Sequence, residues 1–277
     1  MKQLLYITLF LSGLTFAQKS SILWQAEKDD VKIYLLGSNH LYPADSILHK
    51  EKINALIIQS DLYIDELDSK NDNRDSIFNS RKDNQIEKNL GKKDFKIYTN
   101  LFPDDQFTTK LSPAEINVKL ERKKISISCG SDNKQTMDAY FDKQVEQANI
   151  ETFGFEKVID QLNQLSNLYN ISDKMMWEKN RNALSQISDK KMKSKCIDQA
   201  LITKNTFMYD FEKEIPANQK QFWDDRNIRW IGIIDEILAK NKYKNIFIRV
   251  GIGHLNYSKG LIMLLKNKGY QLTPVIF

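Results

Sequence analysis

Two apolar, β-like runs of this chain break off in the same way. "VKIYLLG" leads into Gly37-Ser38-Asn39-His40, and "NIFIRVG" leads into Gly251-Ile252-Gly253-His254. The chain has 3 histidines and 10 glycines in 277 residues, so composition alone would put a glycine three places before two of the histidines with a probability of about 0.004. A lone Gly-x-x-His reads as readily as a hydrogen-bonded turn, but a matched pair calls for a shared cause. Glycine lets a strand turn sharply without a Cβ clash. Each imidazole would then stand just beyond the carboxyl end of a strand, where open α/β sheets gather their ligands. His49 has neither the glycine nor the strand and reads as an ordinary helix or surface residue.

The pattern between the two motifs is of an α/β kind. "SILWQAEKDDVKIYLLG" reads as an antiparallel hairpin turning around Lys28, Asp29 and Asp30. Residues 45–59 have helical spacing, with Ile53, Leu56 and Ile57 on one face, and "SDLYIDELD" is a further strand. Residues 68–93 turn to Asp, Asn, Ser, Lys and Arg and predict a surface excursion with at most short helices. A helix over 136–148 precedes the strand "IETFGFE". Val158, Ile159, Leu162 and Leu165 mark the next helix, and Ser172 caps another. In "NQKQFWDDRNIRWIGIIDEILAKN", Trp223, Trp230, Ile234 and Ile237 recur at helical spacing. At about 100° per residue, Arg226 and Asn227 fall at the margins of that apolar arc, with Asp224 and Asp225 outside it. "KGLIMLLKNKG" is a helix capped near Gly269, and "YQLTPVIF" is a closing strand. Residues 18–277 are expected to form a single domain.

The first residues, "MKQLLYITLFLSGLTFAQ", combine one cation at Lys2, an apolar run from Leu4 to Phe16 and the small Ala17. This is a signal-peptide pattern over residues 1–17, and it predicts export to a periplasm or the outside. The run is too short for a comfortable span, and no later stretch is long and apolar enough for one, so the mature chain is expected to lack a transmembrane domain. No cysteine follows it, which disfavours a lipid anchor. The formal charge is +5, with lysines alternating with acids instead of forming a stripe, which argues against nucleic acid as a partner. The basic run "KKMKSK" at 190–195 reads as a solvated segment. Cys129 and Cys196, the only cysteines, could pair in an oxidising compartment or stand as two separate buried thiols.

Carboxylates supply the other half of the chemistry. Glu66 ends "LYIDEL", and alternation sends Asp65 and Glu66 to opposite faces of the sheet. Glu156 ends "TFGFE" in the same manner. Two histidines with one or two carboxylates could hold a divalent cation with an open water position. Alternatively, a histidine and a glutamate could activate water directly, with Arg226 stabilising an oxyanion. Each carboxylate could equally be a strand-end cap or ion pair, and Arg226 with Asn227 a buried structural network.

At these residues the chain resembles the TraB/GumN family, which is related to the Tiki metalloproteases and more distantly to erythromycin esterases and ChaN-like proteins. The matching pieces are "LLGSNHLYP", "SDLYIDELD", "MDAYF", "GFE", "RNIRW" and "VGIGHLNYSKGLIMLLKNKGYQLTPV", in the expected order over nearly the whole mature chain. The resemblance implies an α/β fold with a mixed central β-sheet and helices on both faces. It also implies a site built from His40, Glu66 and His254, with Glu156 and Arg226 close by. Ser38 stands where threonine is usual, and Tyr257 where glycine is common, a bulk that could narrow the site or reshape the following helix start.

These readings predict an exported, metal-dependent hydrolase of peptide or amide bonds. His40, Glu66 and His254 would bind a divalent ion such as Mn, Co or Zn, Glu156 would activate water, and Arg226 would steady negative charge. The partner would be a peptide or other small substrate. The alternatives are a peptide-binding protein of the same fold that does not cleave its ligand, and a metal-free esterase-like hydrolase.

Overall fold

The computed structural model of the chain describes residues 21–68, 74–130, 132, 134–169, 171–189 and 217–276. The expected signal peptide, the basic run at 190–195 and Cys196 lie outside these residues. Cys129 is disulfide-bonded.

The predicted hairpin is present. Strands β1 (Leu23–Lys28) and β2 (Val31–Ser38) pair antiparallel, and Asp29 turns between them with φ 53°. Helix α1 (Lys50–Ile58) is shorter than the expected 45–59, because residues Ala44–Ser46 form a separate 3-10 turn, and exposed His49 stands just before the helix start. Strand β3 (Leu62–Leu67) follows. Helices α2 (Arg74–Asn79), α3 (Ile86–Leu90) and α4 (Lys92–Leu101) come next.

The short helices match the expectation, but the segment is not the surface excursion predicted for it. Phe78, Ile86 and Leu90 are buried against α5 (Pro113–Ser128) and α8 (Asp173–Ser188), in an apolar cluster to which no strand contributes. Helix α5 begins with a full capping box, Ser112 with Glu115, and Pro113 in the first turn, so the N–H groups of Ser112 and Glu115 are satisfied by side chains of its own sequence and Pro113 has none to satisfy.

Helix α6 (Met137–Gln147) is capped by Thr136, and strand β4 (Thr152–Glu156), helix α7 (Val158–Tyr169) and α8, capped by Ser172, follow as predicted. Helix α9 (Ala217–Ala239) leads to β5 (Asn245–Gly251), and α10 (Leu261–Asn267) to β6 (Gln271–Pro274). The six strands form one mixed sheet in the order β4-β3-β5-β2-β1-β6. Neighbours β4, β3, β5 and β2 are parallel, whereas β1 runs against both β2 and β6.

Alternation along the strands sends apolar residues to both faces. On one face Ile33, Leu35, Ile64 and Ile248 pack against Trp230, Ile234 and Ile237 of α9 and Leu261 and Leu265 of α10. On the other, Leu36, Tyr63 and Phe247 pack against Ile53 and Ile57 of α1 and Phe141 and Val145 of α6. The sheet is thus covered by helices on both sides. Among the described residues no helix is long and apolar enough to cross a membrane.

Candidate functional site

Because β2, β3, β4 and β5 are parallel, their carboxyl ends lie along one rim of the sheet, with Ser38 beside Gly251 and Leu67 beside Glu156 in register. His40 follows β2, Glu66 lies near the end of β3, Glu156 ends β4, and His254 closes the 3-10 turn after β5. The structure brings all four together with Arg226 of α9. His40 Nε2 and His254 Nε2 each lie 3.9 Å from the same oxygen of Glu66, Oε1.

Arg226 is the hub. Its Nε donates to both oxygens of Glu156 at 3.0 and 3.1 Å, its Nη2 to Glu66 Oε2 at 3.1 Å, and its Nη1 to His254 Nε2 at 3.1 Å. The guanidinium also lies over the rings of Phe222 and Trp230, 5.1 and 4.7 Å from their centroids. A buried charge needs this many partners to offset lost hydration. Glu156 is further bound by Arg229 and by the indole N–H of Trp230 at 3.1 Å.

The two imidazoles are held differently. His254 is buried between Trp223 and Trp230, each ring 4.4 Å away. Its Nδ1 meets Asn227 Oδ1 at 2.7 Å, an atom that can only accept, while Arg226 can only donate to Nε2. The ring is therefore the neutral Nδ1–H tautomer. Burial, with the charges of Arg226 and His40, pushes its pKa down to about 3 against the pull of Glu66. His40 has a side chain 43% exposed and donates from Nδ1 to Asp138 Oδ2 at 2.5 Å. Burial works against its charged form, but the hydrogen bond and charge of Asp138, with Glu66, outweigh it and raise the pKa. Burial alone would raise Glu66, yet the charges of His40 and Arg226 and the Gly251 N–H hold its carboxyl below the ordinary carboxylate range.

The glycines of the paired motifs act by close approach, not by a sharp turn, since neither has a positive φ. A Cβ on Gly37 would lie 2.8 Å from Leu255 and 3.0 Å from Ile252, and one on Gly251 would lie 3.0 Å from His40 Nε2. Each motif's glycine makes room for the other motif. Tyr257, whose bulk could narrow the site or reshape the following helix start, is buried, and its hydroxyl accepts from Asn227 Nδ2 at 3.0 Å. It thereby braces the residue that fixes the His254 tautomer.

Asp138 and Arg249 were not foreseen. Asp138 lies in the first turn of α6, inside the "MDAYF" stretch, where an acidic residue reads simply as favourable to the helix dipole. Arg249 is buried on β5 and donates from Nη1 to the Asp138 carbonyl at 2.7 Å, while its Nη2 pairs with Asp65 and with Asp142 at 2.8 Å. Asp65 does face away from Glu66, as alternation requires. Asp224, expected outside the apolar arc, is buried and paired with Lys259 Nζ at 3.0 Å.

The donors at the rim suit a divalent cation in kind: two imidazoles whose Nδ1 atoms are satisfied from behind, and one ionised carboxylate. As they stand, no group of three or more His, Cys, Asp or Glu side chains among the described residues is arranged to hold one. For His40, Glu66 and His254 to do so, Arg226 has to release His254 Nε2 and the three donors have to draw in.

Fold and rim together define an α/β protein with a buried His–Glu–Arg network at the carboxyl edge of a mixed sheet. The model of the TraB/PrgY/gumN family matches residues 22–274, and the chain belongs to that family. No curated protein and no solved structure matches it.

Proposed function

We propose that the chain is an exported hydrolase of peptide or amide bonds in which His40, Glu66 and His254 hold a divalent cation. One observation carries the reading: imidazoles from two strand ends turn Nε2 towards one oxygen of Glu66, 3.9 Å from each, while an acceptor behind each ring engages Nδ1. Outer acceptors of this kind fix the tautomer of metal-ligating histidines. Manganese, cobalt or zinc would suit two nitrogens and a carboxylate. Such an ion would supply Lewis acidity, polarising the scissile carbonyl and making water more acidic.

The chain's own residues do the rest. Asp138 and Asn227 orient the two rings. Arg226, fixed by Glu156, sets positive charge beside the rim, where a tetrahedral intermediate gathers negative charge. Glu156, first expected as the base, is the anchor of Arg226 in this reading, because its side chain is 1% exposed and its oxygens are taken by Arg226, Arg229 and Trp230. The more exposed His40 is the member of the set that a substrate meets first. Export rests on the pattern of residues 1–17.

A second reading is favoured by the Arg226 Nη1–His254 Nε2 hydrogen bond, which uses the lone pair a cation would need. Here His40, polarised by Asp138, takes the proton from water without a metal. Elemental analysis of the purified mature chain, with hydrolysis of a peptide library followed by mass spectrometry before and after chelation, separates these readings. The first requires bound metal, loss of turnover on chelation, and loss of both metal and turnover in His40→Ala. Turnover that survives chelation supports the second. Saturable peptide binding without product would overturn both in favour of a non-catalytic binder.

A further inference from the structure

On the opposite face of the sheet from Glu66, β3, β4 and α6 line a half-open cavity of about 290 Å³. This is near the lower bound of pockets that take small ligands, roughly 300–1,000 Å³, and suits a single side chain. Asp65, Asp68, Asp142 and Glu146 line it, and among the described residues that line it none carries a positive charge. Arg249, which pairs with two of these acids, is divided among Asp65, Asp138 and Asp142, so among these described groups the carboxylates outnumber what it can neutralise.

A second observation is independent of these acids. Tyr63, 2% exposed, lines the cavity, and its hydroxyl is buried with no hydrogen-bond partner among the described residues. A buried hydroxyl without a partner carries a desolvation cost, which a ligand reaching the cavity would relieve. Phe153, 41% exposed, adds an aromatic wall able to face a cation.

We infer that this cavity is a subsite for the cationic end of a basic side chain, the ammonium of lysine or the guanidinium of arginine, in a peptide substrate. The inference deepens the hydrolase reading and rests on it for the word substrate. The link to the rim is physical: Arg249 joins Asp65 and Asp142 at the cavity to Asp138, which holds His40. One peptide could place a carbonyl at the rim and its basic side chain behind it.

The test is binding, so that it can fail or succeed apart from hydrolysis. N-acetyl-lysine amide, its neutral counterpart N-acetyl-norleucine amide and calcium chloride are each titrated into the mature protein at constant ionic strength, followed by NMR of the aromatic and methyl groups. Saturable shifts at Tyr63, Val145 and Phe153 with the lysine compound alone are expected. They should weaken tenfold or more in Asp142→Asn/Glu146→Gln, weaken severalfold in Tyr63→Phe, and persist in a hydrolytically inactive His40→Ala. Equal binding of the norleucine compound, binding unaffected by the double variant, no saturable shift, or calcium taking the same residues in preference would each overturn the assignment. If the lysine compound binds but no peptide is cleaved, the subsite stands and the hydrolase reading falls.

Discussion

Gly251 stands where any Cβ would lie 3.0 Å from His40 Nε2 and 3.2 Å from Glu66 Oε1. The gap between His40 and Glu66 is thus kept open by a hydrogen atom of the second histidine motif. The backbone there, φ −55° and ψ 137°, is one that any L-residue adopts, so glycine is required for space and not for conformation.

Gly251→Ala is therefore expected to block the rim while leaving the fold intact. Turnover or metal uptake should fall at least 100-fold, and the urea midpoint should shift by less than about 1 kcal/mol equivalent. Gly37→Ala is the contrast: its Cβ meets packed core atoms of Leu255 and Ile252, and overpacking of that kind costs about 1–3 kcal/mol. Parallel urea denaturation and activity assays of the two variants check the difference.

Arg226 connects two buried carboxylates, Glu66 and Glu156. Arg226→Met should destabilise the chain by about 3–5 kcal/mol, because two charges lose their partner inside the protein. Restoring neutrality with Glu66→Gln and Glu156→Gln in the same chain should recover a large part of that loss without recovering activity. Equilibrium unfolding of the single and triple variants measures the recovery.

His254 stays neutral in the folded chain, with its pKa pushed down to about 3 from an ordinary 6.5. A histidine with a depressed pKa contributes stability that is present above the unfolded value and lost as pH falls towards the folded one. In metal-free buffer, the stability difference between wild type and His254→Gln should therefore shrink below about pH 6.5, by up to about 1.4 kcal/mol per pH unit. Asp65, which burial raises to about 6, acts with the opposite sign between pH 4 and 6. The variant difference, and not the raw slope, is accordingly the readout.

The strands and the rim were legible because they are local: apolar alternation and a terminal glycine, histidine or glutamate lie within a few residues of one another. The hairpin around Asp29, the opposite facing of Asp65 and Glu66, and the capping of α6 and α8 by Thr136 and Ser172 all follow from short-range rules. Helix α5 was open to the same reading, since Ser112, Pro113 and Glu115 spell out its start. Asp224 was misplaced because a helical wheel sees one layer of packing. The segment after His254 folds over α9, bringing Lys259 Nζ to the Asp224 carboxylate and the Lys259 carbonyl to Asn227. Arg249 left a trace, a charge inside an apolar parallel strand, and a buried charge demands partners. Those partners, Asp65, Asp138 and Asp142, lie more than a hundred residues away in the chain, where no local pattern points to them.

Asp138 is the partner whose removal tests that relay most directly. It holds His40 Nδ1 at 2.5 Å and is itself kept ionised, despite burial, by the His40 hydrogen bond and the Arg249 charge. In Asp138→Asn the shape is preserved and the charge is lost. An amide can also present its NH2 group to Nδ1, which would favour the other tautomer and place the proton on Nε2, facing Glu66. The His40 pKa should drop from its raised value, since the hydrogen bond and charge of Asp138 are what overcome burial, and two-dimensional NMR of the imidazole resolves both the pKa and the tautomer. Outer partners of metal-ligating histidines typically contribute 10–100-fold in affinity or rate, so a loss of that size is expected in metal uptake or kcat/KM. A variant whose imidazole titrates and turns over as wild type would show that His40 is held by the strand end alone, and that Asp138 with Arg249 serves only the packing of α6.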